Sequence, residues 1–218
     1  MKPFLEELDT LLAPVIQAAR APAMRAYMRD QFEFLGIPTP DRRAAAKPLL
    51  RQFKGLAPDI LLETVKPIWS LPQREYQYVA LDLLAMHYRA LGPEHIPHLL
   101  EYVQLKSWWD TVDGFAAIIG DILNGRHDHM DDAINHENIW VRRIAILHQL
   151  GWREKVESRR LFQYALKLGH EKEFFIQKAI GWALRDYARH DPQAIRQFLE
   201  ANKSKLAALS LREAAKHL

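Results

Sequence analysis

A chain of 218 residues with 49% hydrophobic positions can bury a substantial core as one domain or one array of repeats, so disorder is not its default state. The complete lack of cysteine excludes disulfides, thiolate nucleophiles, zinc knuckles, iron–sulfur clusters and the deaminases that hold zinc through cysteine. The formal net charge of +3 conceals an asymmetry, because residues 1–138 carry 14 Lys/Arg against 19 Asp/Glu and residues 139–218 carry 16 against 8. Such a field suits a polyanionic partner, although a solvated basic surface without a partner has the same composition.

Along the chain, apolar residues recur at helical spacing almost everywhere, with no alternating run of strand length. The opening Met1-Lys2-Pro3-Phe4-Leu5-Glu6-Glu7 has neither a basic region followed by an apolar stretch nor a run able to cross a bilayer, which places the protein in the cytoplasm and away from membranes. The periodicity predicts helices over 3–19, 22–33, 41–53, 58–70, 73–91, 94–105, 108–124, 128–136, 139–150, 158–169, 172–190, 192–201 and 210–217. Leu35-Gly36-Ile37-Pro38-Thr39-Pro40 reads as a connector. Pro58, Pro93 and Pro192 mark first helical positions, and Ser107 and Asn138 read as N-caps. The longer helices starting near 73, 108, 139 and 172 recur every 30 to 35 residues, the range of helical hairpins that stack into a curved solenoid. Without a strict consensus repeat, a compact irregular bundle stays open as the other all-α arrangement.

Three segments carry candidate chemistry. In Lys106-Ser107-Trp108-Trp109-Asp110-Thr111-Val112-Asp113, helical geometry puts Trp108 on the core stripe with Val112, Phe115 and Ile119. Trp109 and Asp113 stand one turn apart beside it, next to a strip of Ala116, Ala117 and Gly120 on which a ligand has room to lie; a half-buried filler and a solvated carboxylate would look the same. In Asn138-Ile139-Trp140-Val141-Arg142-Arg143, paired arginines near a helix N-terminus suit phosphate capture, or else pair with a carboxylate of the next repeat. In the segment 173–189, the core stripe Ile176, Ala179, Ile180, Ala183, Leu184 and Tyr187 leaves Lys178, Trp182, Arg185 and Arg189 on another face. A tryptophan among cations there is a binding surface or a cap on a neighbouring helix. His127-Asp128-His129 with Asp131 and Asp132 reads as a polar loop and not as a metal site, and no Gly-rich phosphate loop, nucleophile elbow or His-Glu-x-x-His helix is present.

Taken together, Ser-Trp-Trp-Asp-Thr-Val-Asp (107–113), Asn-Ile-Trp-Val-Arg-Arg-Ile-Ala-Ile-Leu (138–147), Glu-Phe-Phe-Ile-Gln-Lys-Ala-Ile-Gly-Trp-Ala-Leu-Arg-Asp-Tyr-Ala (173–188) and Leu-Ser-Leu-Arg-Glu-Ala-Ala-Lys-His (209–217) resemble the AlkD family of DNA alkylation-repair glycosylases. Ala26-Tyr27-Met28, Gly36-Ile37-Pro38 and Arg74-Glu75 extend the resemblance over essentially the whole chain. It implies a single domain over 1–218, an all-α, right-handed α-solenoid of antiparallel HEAT-like helix pairs with a concave basic surface. It also implies Asp113, Trp109 and Trp182 as catalytic residues, and Arg143, Arg142, Tyr27, Lys178 and Arg185 as DNA or phosphate contacts. The implied reaction is monofunctional hydrolysis of the N-glycosidic bond of cationic purines such as 3-methyladenine and 7-methylguanine, with room for bulkier adducts. It would act on a base still stacked in the duplex and leave an abasic site. A base already cationic needs no general acid to leave, consistent with a single evident carboxylate. The expected partner is double-stranded DNA carrying alkylated bases, met by a monomer without cofactor or metal in the cytoplasm, associated with the bacterial nucleoid when acting. The competing readings are a non-catalytic helical-repeat protein that binds DNA or another polyanion, and a protein-interaction scaffold.

Overall fold

The computed structural model describes residues 2–218 apart from the His217 side chain; Met1 and that imidazole, quoted in the segments above, lie outside the described residues. The described residues form thirteen α-helices joined by short 3-10 turns, and their one β-type pairing is an isolated parallel bridge between Glu33 and Gln73. The chain divides into two compact units, Met1–Leu91 and Gly92–Leu218. The first holds α1 (Lys2–Leu12), α2 (Ala21–Tyr27), α3 (Thr39–Leu50), α4 (Pro58–Ser70) and α5 (Arg74–His87). The second holds α6 (Ile96–Val103), α7 (Trp109–Leu123), α8 (Met130–Ala133), α9 (Ile139–Leu147), α10 (Ser158–Lys167), α11 (Phe174–Ala188), α12 (Pro192–Asn202) and α13 (Ala208–Ala214). Among the described residues, no helix is long and apolar enough to cross a membrane.

Helix boundaries differ from the periodicity where the backbone itself intervenes. The first helix stops at Leu12, and Ala13-Pro14-Val15 tighten into a 3-10 turn. The second stops at Tyr27 because Arg29 and Asp30 take left-handed conformations, with φ of 54° and 55°. The segment 128–136 contracts to the single turn of α8, preceded by His129 at φ 66°. Asn138 caps α9 as expected, its Oδ1 accepting from Trp140 N at 2.9 Å, and Asp191 caps α12 through Ala194 N at 2.9 Å. Ser107 is not an N-cap. Its hydroxyl donates to the Val103 carbonyl at 2.7 Å and so serves the end of α6, while α7 begins at Trp109.

In the second unit, α7 packs on α9, α9 on α11 and α11 on α13, the nearest-neighbour stacking of an α-solenoid of helix repeats. The intervening helices flank this row, with α6 against α7 and α10 against both α9 and α11. The small residues along α7 make this approach possible: a Cβ on Gly120 would come within 2.4 Å of the His148 carbonyl oxygen. Ala116 and Gly120 are therefore buried at a helix contact, and of the strip expected to lie open beside Asp113 only Ala117 is exposed.

In the first unit, the connector after α2 is held by one carboxylate. Glu75, fully buried, accepts from the backbone N–H groups of Leu35 at 3.0 Å, Gly36 at 2.9 Å and Ile37 at 3.1 Å. Gly36 sits at φ 87°, and a Cβ there would lie 2.3 Å from the Gln17 carbonyl oxygen, so no other residue fits. Replacing Glu75 by Gln turns an all-acceptor group into one with a donor facing backbone donors; urea unfolding should show a loss of about 3 kcal/mol.

His148, at the C-terminal end of α9, is 1% exposed. Its Nδ1 lies 2.7 Å from the Ala145 carbonyl and its Nε2 lies 2.9 Å from Nδ1 of His127, whose Nε2 is 3.0 Å from Glu157. Burial drives the His148 imidazole down to about 3, with the charges of His127 and Arg160 acting in the same direction. The unfolded chain then binds a proton near pH 6.5 that the folded chain refuses, so stability falls as pH drops from 6.5 towards 3, by up to about 1.4 kcal/mol per pH unit. His127, lowered by burial, adds to the same slope. Urea titrations at pH 7 and pH 5 should show a shallower loss in His148→Asn than in the wild type.

Candidate functional site

The three residues implied to be catalytic and the implied phosphate contact Arg143 fall on three helices of the stacked row, Trp109 and Asp113 on α7, Arg143 on α9 and Trp182 on α11. Arg143 joins them. Its guanidinium grips Asp113 with both prongs, Nε to Oδ1 at 2.7 Å and Nη2 to Oδ2 at 2.8 Å, while Nη1 donates to the Phe175 carbonyl of α11. The Arg143 Cζ also lies 5.4 Å from the centroid of the Trp182 ring. A planar fork with a fixed donor pattern is what lets one side chain bind a carboxylate, a carbonyl and an indole together.

This placement corrects the phosphate role expected of Arg143. The side chain is 1% exposed and its guanidinium is committed within the protein, so it presents no face to a phosphate. Arg142 is engaged as well. It donates to the carbonyls of His136 and Glu137, both at 2.7 Å, and pairs with Glu171 across the α10–α11 turn at 3.0 Å. Both arginines therefore follow the alternative in which they pair with carboxylates of other repeats.

Asp113 keeps a quarter of its side chain exposed. Burial pushes its carboxyl above the ordinary range and the Arg143 fork pulls it back, with Asp110 adding a smaller upward push. Each oxygen spends one lone pair on Arg143 and retains another, so the carboxylate is fixed in orientation yet still able to accept from water or to face a developing positive charge.

Trp182 is half-buried, because α13 covers part of the α11 face expected to be open. Lys178 Nζ stands 5.2 Å from the ring centroid and Arg143 Cζ 5.4 Å, so two cations of the protein already sit over this indole. Lys178 and Arg185 are 21% and 23% exposed and both bind Glu213 of α13, at 2.9 and 3.1 Å. Nothing in the sequence reading singled out Glu213; Ser210 and Glu213, three apart on one face of a short apolar helix, are the signal that would have found it. Arg189 is exposed at the end of α11.

Behind the site lies an aromatic cluster. Trp108 packs its ring 5.9 Å from Trp140 and 5.1 Å from Phe175, and Phe174, half exposed, meets Phe175 at 5.3 Å. In the first unit, Tyr27 is 70% exposed and borders a groove of about 630 Å³ lined by Met24, Met28, Phe34, Arg43 and Tyr78. Among the described residues, no group of three or more His, Asp or Glu is placed to hold a metal ion, and His127 is bound to His148 and Glu157.

None of the curated proteins matches the chain. A solved structure described as "Predicted DNA alkylation repair enzyme from Enterococcus faecalis" is similar to it at 34% identity and a TM-score of 0.85, over 92% of this chain and 95% of that one. The family model for DNA alkylation repair enzymes matches residues 8–218. With nearly its whole length matched, the chain belongs to the DNA alkylation repair enzyme family.

Proposed function

We propose that the protein is a monofunctional DNA glycosylase that hydrolyses the N-glycosidic bond of cationic alkylated purines, 3-methyladenine and 7-methylguanine among them, in duplex DNA. The observation that carries this reading is Asp113, a partly exposed carboxylate locked by a two-pronged arginine and accompanied by Trp109 and Trp182.

The chemistry follows from where charge moves. As the bond between C1′ and the purine nitrogen breaks, its electron pair neutralises the cationic base, and positive charge develops on the deoxyribose. A carboxylate fixed beside that sugar is worth more in the transition state than in the ground state. Water then adds to C1′ with Asp113 orienting it, and its proton passes to solvent, leaving an abasic site. No side chain needs to form a covalent bond with the sugar. Arg143 acts as a positioning residue: it holds the carboxylate in one orientation and opposes the upward push of burial on its pKa. Because Lys178 and Arg143 already lie over the Trp182 ring, we assign that indole to packing against the sugar; Trp109, one turn from Asp113 on α7, is retained as a contact of the nucleotide. Tyr27 is retained as a DNA contact of the first unit. Lys178 and Arg185 are retained as phosphate contacts, and an open site of this kind would accept bulky adducts without flipping the base.

Release of free 7-methylguanine and 3-methyladenine from methylated duplex DNA tests the reading. The wild type should release both, and Asp113→Asn should lose at least ~100-fold in rate while binding DNA within a factor of about two. Equal release by the two proteins would remove Asp113 from the mechanism, and trapping of a covalent DNA adduct with borohydride would contradict monofunctional hydrolysis. Arg143→Met should lower stability by about 3 kcal/mol, because it strands a largely buried carboxylate. It should also raise the pH at which the Asp113 carboxyl carbon titrates by NMR, and leave the salt dependence of DNA binding unchanged.

A further inference from the structure

α13 lies against α11 so closely that Gly181 has no room for a side chain. A Cβ there would come 2.4 Å from Glu213 Cβ and 3.0 Å from the Ser210 carbonyl oxygen. The Ser210 hydroxyl donates to the Gln177 carbonyl at 2.9 Å and closes the same contact. The Glu213 side chain, 7% exposed, is thereby laid along the face of α11 that carries Lys178, Trp182 and Arg185.

Three cations share this one carboxylate. Lys178 Nζ reaches Oε1 at 2.9 Å, Arg185 Nη1 reaches Oε2 at 3.1 Å, and Lys216, in the turn after α13, reaches both oxygens at 2.9 Å. The hydrogen bond from Lys216, followed by that from Lys178, holds the Glu213 carboxyl down at about 2, so it is a carboxylate at any ordinary pH. A pairing built for stability alone would match its charges, since uncompensated charge at a partly buried site is costly. Here two positive charges are left in excess, on side chains that remain open to solvent, with Lys178 Nζ 5.2 Å from the Trp182 ring.

We propose that Glu213 is a positioning residue that holds Lys178, Arg185 and Lys216 as a fixed three-pronged clamp for a DNA backbone phosphate beside Trp182. A flexible lysine must be immobilised when it meets a phosphate; a lysine already ordered by a carboxylate loses less freedom on binding. Phosphate contacts set the register of a protein on the duplex, and this clamp sets it from the helix that carries Trp182. Its effect on base release rests on the glycosylase reading above, whereas its effect on binding does not.

The sign of one measurement separates positioning from simple charge. Glu213→Gln removes a negative charge from a DNA-facing cluster, so charge alone predicts tighter binding. Positioning predicts binding to an undamaged duplex that is weaker by about 5-fold or more, with base release reduced at least as far. Glu213→Asp keeps the charge and shortens the reach, and should weaken binding in the same direction. Lys216→Met, at an exposed position, should weaken binding and lower the slope of log affinity against log salt by about one. Tighter binding by Glu213→Gln, or wild-type binding by Glu213→Asp, would overturn the proposal. Should the Glu213 variants fail to fold, an unchanged salt slope in Lys216→Met would do the same. A wild type that binds DNA and releases no base would refute the glycosylase reading alone, and the binding comparison would still decide the clamp.

Discussion

The second unit is organised around the grip of Arg143 on Asp113. A carboxylate that is to meet a developing positive charge gains strength by leaving water, yet leaving water is what penalises an isolated ion most. The fork settles this conflict by burying the carboxylate as half of a pair, with two hydrogen bonds of 2.7 and 2.8 Å and the exposed quarter of the side chain turned to the surface. Because the same guanidinium reaches the Phe175 carbonyl and the Trp182 ring, the position of the carboxylate is tied to α9 and α11 as well as to its own α7. In the proposed reaction, preorganisation of this kind would let a single carboxylate act without reorganising as the bond breaks.

The repeat architecture supplies such links at regular intervals. Asp113 is 30 residues from Arg143, Arg142 is 29 from Glu171, and Arg185 is 28 from Glu213, so each step of the stack hands a charge to another. Helices that touch only their neighbours need some such device, because packing along one row does not by itself fix rotation of each helix about its axis. Arg42 and Asp82 form a comparable link between α3 and α5 in the first unit, at 3.1 Å. The site is then a by-product of the stitching, with the catalytic candidates at positions where repeats already exchange hydrogen bonds.

The helices were legible because burial on one side imposes a 3.6-residue period that any reader of the chain can find, and the thirteen predicted segments correspond to thirteen α-helices. Their ends were less so. Leu12 and Tyr27 end helices through a proline-containing 3-10 turn and through left-handed residues, and neither signal is strong in isolation. In the site, spacing brought out Trp109, Asp113, Arg143 and Trp182 as candidates, and the resemblance joined them into one set. What spacing does not convey is which partner a charge chooses. Arg142 and Arg143 look like a phosphate pair and both bind carboxylates of the protein, Ala116 and Gly120 look like an open floor and are buried, and Glu213 looks like an ordinary helix carboxylate and gathers three cations. Most of these partners lie 28 or more positions away, beyond the reach of a local pattern, whereas Ser210 and Lys216 stand three residues from Glu213.

The charge asymmetry also takes on a different meaning. A protein that binds duplex DNA needs positive potential, but one that acts on a cationic base needs negative potential at the reacting sugar, and a uniformly basic surface would repel its own substrate. On the proposed reading, the second unit assigns the two demands to different groups. Arg143 is withdrawn from the surface and cancelled by Asp113, which leaves carboxylate oxygens as the polar atoms facing outward from that pair, while the excess of cations around Glu213 sits on α11 and α13. Trp182 is where the two meet, with Arg143 of the carboxylate pair 5.4 Å and Lys178 of the cationic cluster 5.2 Å from its ring. An indole suits that place, since its face tolerates the cations and adds no charge of its own to either field.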